Sequence, residues 1–244
     1  MNNIPTVTKN LLIINVLMFL GTIVAQSYNI DLNKYLGLHF ILADNFNAAQ
    51  LITYMFMHGG FAHLFFNMFA VWMFGRILEQ VWGPRRFLFY YLLCGIGAGL
   101  IQELVTGIRF ITLESGMTPD AIEGVFSEGA KALSRNMNFV NPAMADLNLT
   151  LNASTVGASG AVYAILLGFG MLFPNQQMFI FPLPFPIKAK YFVAGYALIE
   201  LWSGLANNAS DNVAHFAHLG GMIFGFILIM YWRRKNRRNG YYYQ

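Results

Sequence analysis

The stretch Val213-AHFAHLGGMIFGFILIMYWRRKNR-Arg238 decides the class of the molecule. From residue 213 to 232 it is apolar enough to cross a hydrocarbon core of roughly 30 Å, which takes about 20 residues. It ends in a block of basic residues, RRKNRR after Trp232. It also carries two histidines near its start, His215 and His218. Ionisable groups within a span are costly unless partnered, and they mark function. Gly221 and Gly225 follow at small-xxx-small spacing, the pattern that lets helix backbones approach closely.

Five further apolar runs lie upstream, at about 10–26, 61–82, 86–106, 156–173 and 190–206. Composition agrees. Of 244 residues, 57% are hydrophobic and 11% charged, against roughly 25% charged in an average soluble domain. Disorder, a coiled coil and almost any free globular enzyme are excluded on that ground. The single cysteine, Cys94, excludes an internal disulfide frame and a multi-cysteine metal site. The basic pI does not indicate nucleic acid, because the cations sit in short clusters between apolar runs. The reading is an all-α membrane protein: one six-span domain over 1–232, then a basic cytoplasmic tail at 233–244. The apolar stretch 178–187 is not a seventh span, since Pro182, Pro184 and Pro186 prevent a regular helix.

With the N-terminus placed inside, eleven of the fifteen basic residues fall on the inner side. Lys34, Arg109, Lys131 and Arg135 remain outside. That asymmetry gives N-in and C-in. The first run shows no cleavage site for a signal peptide and reads as a span. The compact core without a targeting segment suggests a bacterial plasma membrane. A long polar insert, 107–155, joins the third and fourth runs on the outer side. Thr118-Pro119-Asp120 opens an amphipathic helix within it, and Asn148 and Asn152 head glycosylation sequons on the outward side.

In this topology the second, fourth and sixth runs all go from outside to inside, and each carries polar residues near its start. The second has His63 and Asn67, spaced i, i+4 and so on one face. The fourth has Ser159 between Gly157 and Gly160, with Tyr163 one turn later. The sixth has His215 and His218. At 1.5 Å per residue, Ser159 and His218 both lie roughly 5–8 Å below the outer edge. A serine hydroxyl is a weak nucleophile until a base takes its proton, and histidine is the usual base near neutral pH. The developing oxyanion then needs donors, here the amides near Ser159 with His63 and Asn67. No acid stands beside His218 or one turn away, and Asp211 lies in the outer loop, so the expectation is a Ser–His dyad. The GASGA string lacks the second glycine of the G-x-S-x-G elbow, which removes the α/β-hydrolase reading.

Three strings in order, HLFFN (63–67), GASGAVYA (157–164) and AHLGGMIFG (217–225), make the chain resemble the rhomboid intramembrane serine proteases. The resemblance covers about 50–232. It implies a six-helix bundle with Ser159 as nucleophile and His218 as general base. His63, Asn67 and the Ser159 amide would be the oxyanion donors, and Tyr163 the ring under the histidine. Gly157, Gly221 and Gly225 would support the site. It also implies no metal and no cofactor. The substrates would be single-span membrane proteins, cut near the outer end of their helix within membrane lipids. The insert is longer than that family usually has.

The remaining polar residues read as structural. His215 and Glu200 would form hydrogen bonds between helices, Glu79 would pair with Arg76, Arg85 or Arg86, His58 would order a loop, and His39 would be a plain loop residue. Two other functions compete. One is a metal protein built on His58, His63, His215 and His218, weakened by the absence of an H-E-x-x-H motif. The other is a non-catalytic relative that binds membrane clients; such relatives usually lose the serine or the histidine.

Overall fold

The computed structural model describes residues 4–179, 185–206 and 213–238. Its principal helices are α1 (Thr6–Ser27), α2 (Phe61–Trp82), α3 (Pro84–Glu114), α4 (Pro119–Ser134), α5 (Pro142–Asn152), α6 (Ser159–Leu172), α7 (Ala189–Ala206) and α8 (His215–Arg238). Helices α1, α2, α3 and α8 are long and apolar enough to cross a membrane. The shortest of these, 22 residues, spans about 33 Å. With α6 and α7 they make the expected six.

Helix α6 has only 14 residues, about 21 Å. Its place in the bundle explains how so short a helix serves as a span. It contacts α2, α3, α7 and α8, and most of its residues are buried, among them Gly160, Ala161, Ala164, Gly168 and Gly170. It meets protein on most sides, and its small residues let that protein come close.

The close approach is most severe against α8. A methyl group on Gly221 would sit on the Gly160 carbonyl, and one turn on, a methyl on Gly225 would meet the Ala164 side chain at 3.2 Å. Tyr90 of α3 completes this level, its hydroxyl donating to the Ala164 carbonyl at 2.7 Å. Arg233 of α8 donates to the Met171 carbonyl at 2.8 Å, so α6 and α8 run parallel with their starts together and their ends together.

Glu79 departs from its expected partners. Its carboxylate accepts the Val7 and Thr8 amides, at 2.9 and 2.7 Å, and the Thr8 hydroxyl at 2.7 Å. The free amides and positive dipole end of α1 supply that buried carboxylate with donors in place of the arginines. Arg76 and Arg86 instead lie over the rings of Trp72 and Trp232, at 4.7 and 4.1 Å.

The insert differs from its expected single helix. Helix α3 continues past residue 106 to Glu114, and two helices follow. Helix α4 starts where Thr118-Pro119-Asp120 predicts. Helix α5 is capped by Asn141, whose side chain accepts from the Ala143 amide at 2.9 Å. Phe40, Phe110, Val125, Leu147 and Leu151 form a separate small core there. Asn148 is fully buried in it, donating to the Gly129 carbonyl at 3.2 Å and to Asn138 at 2.9 Å. Its amide is consumed by packing, so the sequon there is not presented outward.

Between α6 and α7, Gln177–Met178 pairs antiparallel with Ile187–Lys188, a two-residue exception to the all-α reading. Pro182, Pro184 and Asp211 lie outside the described residues.

Candidate active site

The chain enters α6 through a clamped approach. Leu38 and Thr155 exchange backbone hydrogen bonds at 2.9 and 2.8 Å, and the Gly157 amide donates to the Tyr54 carbonyl at 2.9 Å. Gly157 has φ +132°, a conformation that disfavours a side chain. A Cβ there would also lie 2.7 Å from His63 Cε1 and Nε2, and 3.5 Å from Ser159 Oγ. The bare glycine therefore lets His63 of α2 reach the level of Ser159.

Ser159 is the first residue of α6, where the opening amides have no intrahelical acceptor and the helix dipole is positive. Its hydroxyl lies 2.8 Å from His218 Nε2. The ring of Tyr163, one turn into α6, stacks on His218 with centroids 4.2 Å apart and planes 8° apart. Asn67 is buried, and its Nδ2 has no acceptor among the described residues. His63 and Asn67 lie on the same face of α2. The structure thus brings Ser159, His218, Tyr163 and His63 to one place, with Gly157 in the approach and Gly221 and Gly225 in the helix crossing beneath.

The expectation that no acid reaches His218 does not hold. Glu200 of α7 is buried and places Oε2 2.9 Å from His218 Nδ1. The same oxygen lies 2.6 Å from His215 Nδ1, and Oε1 accepts from the Tyr163 hydroxyl. Three donors around one carboxylate match a group that can only accept. With a carboxylate facing Nδ1, the ring proton belongs on that nitrogen, and Nε2 presents its lone pair to Ser159. Sequence reasoning gave Glu200 and His215 inter-helix hydrogen bonds, which they make to each other, but missed that Glu200 also reaches His218.

The four imidazoles weighed as a metal set form two pairs. His58 and His63 have ring centroids 5.1 Å apart, and His215 and His218 6.3 Å. The ligand atoms that gather within 4.8 Å are those of Glu200, His215 and His218. His58, just outside α2, is buried and its pKa is pushed down to about 4, first by burial and then by His63, which keeps it neutral at physiological pH. His39 is buried as well, with Nε2 2.9 Å from the Lys34 carbonyl, and so fastens the segment that follows α1.

A hydroxyl against an imidazole, at a helix start with free amides and the His63 ring close by, can do acyl-transfer chemistry. An uncharacterised mitochondrial rhomboid protein of Schizosaccharomyces pombe is 30% identical over 209 residues, which is 76% of this chain and 52% of that protein. The putative rhomboid protease YdcA of Bacillus subtilis is 25% identical over 191 residues, 78% of this chain and 69% of that protein. An inactive rhomboid-like protein of Arabidopsis thaliana is 30% identical over 116 residues, 47% of this chain and 32% of that protein. The chain thus spans about half the length of the fission-yeast relative and a third of the plant one. Relatives from mitochondria, a plant and a bacterium give the expected bacterial plasma membrane no support over an organellar one. The rhomboid-domain family model matches residues 45–235, from the segment between α1 and α2 to the tail of α8, and the chain belongs to the rhomboid family of membrane proteins.

Proposed function

We propose that the chain is a serine endopeptidase acting inside the membrane on the transmembrane segments of single-span proteins. Ser159 Oγ attacks the peptide carbonyl as His218 Nε2 takes its proton. The Ser159 amide, His63 and Asn67 stabilise the oxyanion. His218 returns the proton to the departing amine, leaving an acyl-serine ester. Water, deprotonated by the same nitrogen, then releases the second fragment. The observation that carries this reading is the 2.8 Å contact between Ser159 and His218, made across two helices that cross at glycines.

A non-catalytic client-binding role is the second reading, prompted by the Arabidopsis relative named as inactive. The presence of both Ser159 and His218 favours catalysis.

The test is labelling of the purified protein with a serine-directed fluorophosphonate, together with cleavage of a single-span substrate. The wild type should label and cleave. Ser159→Ala should lose labelling, and both it and His218→Ala should lose cleavage on the order of 10³-fold or more, because nucleophile and base act as a unit. Near-normal proteolysis in either variant removes the assignment.

A further inference from the structure

We infer that Glu200 is the positioning residue of the histidine, so that the site works as a Ser159–His218–Glu200 series rather than a dyad. This rests on the protease reading above.

His218 is held at both ring nitrogens, by Ser159 Oγ at 2.8 Å and Glu200 Oε2 at 2.9 Å. Serine, imidazole and carboxylate therefore come from three different helices, α6, α8 and α7. The carboxylate is itself fixed. Tyr163 donates to Oε1 while stacking on His218, and His215 holds Oε2 at 2.6 Å. A carboxylate inside an apolar bundle is costly without such partners. Here those partners include the Nδ1–H of the reaction's base and the hydroxyl of the tyrosine stacked on its plane.

Two consequences follow for the reaction. The carboxylate keeps the proton on Nδ1, so Nε2 is free to accept from Ser159. When that proton moves, His218 becomes an imidazolium, and the negative charge 2.9 Å away stabilises it in a medium of low dielectric. Glu200 touches neither substrate nor Ser159, and its effect passes through His218. His215 takes no proton from the serine. It holds the shared oxygen in place.

The decisive variant is Glu200→Gln, which keeps the shape and an acceptor for Tyr163 but loses the charge and can turn an amide donor toward Nδ1. Cleavage kinetics, fluorophosphonate labelling rate and melting temperature in detergent are measured together. The expected result is a fall of about 10²–10⁴-fold in kcat and in labelling rate, with KM and melting temperature near the wild-type values. Glu200→Asp, which keeps the charge but reaches one methylene less far, should lie between the two. If Glu200→Gln does not fold, Glu200→Asp carries the test through a lowered kcat at unchanged KM. Wild-type kcat in the folded variants, or a loss confined to KM or to melting temperature, overturns the role and leaves the protease reading standing. A wild type that does not label at Ser159 overturns both. Because Glu200, His215 and His218 also gather as a candidate ligand set, the wild type is assayed after chelator treatment. Full activity supports the positioning role, whereas loss that Zn²⁺ restores assigns the cluster to a metal and overturns it.

Discussion

Asn67 carries an unpaired polar group where native proteins rarely tolerate one. Its Nδ2 is buried without an acceptor among the described residues, a condition that costs roughly 1–3 kcal/mol in a folded interior. It sits one turn below His63, which reaches the level of Ser159 past Gly157. On the proposed reaction, a donor kept unsatisfied on the His63 face of α2 suits an acceptor that exists only during the reaction. Asn67→Ala should therefore lower kcat about 10²–10³-fold. The folded state gives up no bond from that nitrogen, so the melting temperature should change little. Cleavage kinetics alongside thermal denaturation in detergent check this. Marked destabilisation with normal turnover in the folded fraction would make Asn67 a packing residue instead.

Helices α6 and α8 set the distance between nucleophile and base, and glycine sets the distance between the helices. A side chain at Gly221 has no space, because its Cβ would overlap the Gly160 carbonyl, and backbone cannot rotate away as a side chain can. Gly221→Val should separate the helices, lower the melting temperature by an amount corresponding to roughly 1–3 kcal/mol or more, and abolish fluorophosphonate labelling of Ser159. Unchanged stability and labelling would show that the crossing does not hold the site. The elements themselves were mostly legible from residues alone. Four long apolar runs announce α1, α2, α3 and α8, and the glycines and serine announce α6. The run of α3 past residue 106 was hidden because GIRFITLE (107–114) turns polar on leaving the apolar run, while Phe110 packs into the small core of the insert. The start of α5 was written in Asn141-Pro142 yet went unread among polar residues. Glu200 was hidden for a deeper reason. Spacing rules relate residues on one helix, and nothing in a single sequence gives the rotation of α7 that turns Glu200 toward α8.

At the scale of the whole molecule, the ends of the bundle differ in charge and in chemistry. Val7 and Thr8 of α1 bind Glu79 near the end of α2, and Arg86 near the start of α3 covers Trp232 near the end of α8. Arg233 holds Met171 at the end of α6. Lys9, Arg76, Arg85, Arg86 and the RRKNRR tail are thereby drawn to one end. Ser159 starts α6 at the other, about 18 Å away along twelve residues of helix. The positive-inside rule predicts the basic end on the inner side, which would put the serine within reach of the outer face. The native Cys94 is fully buried, so introduced cysteines can report on sidedness against a quiet background. Ser154→Cys, exposed just ahead of the serine, should react with a membrane-impermeant maleimide added outside sealed right-side-out vesicles. Arg234→Cys, exposed in the basic tail, should react only after the vesicles are opened. The reverse pattern would turn the bundle over and place the proposed peptide cleavage at the inner face, against the distribution of its own cations.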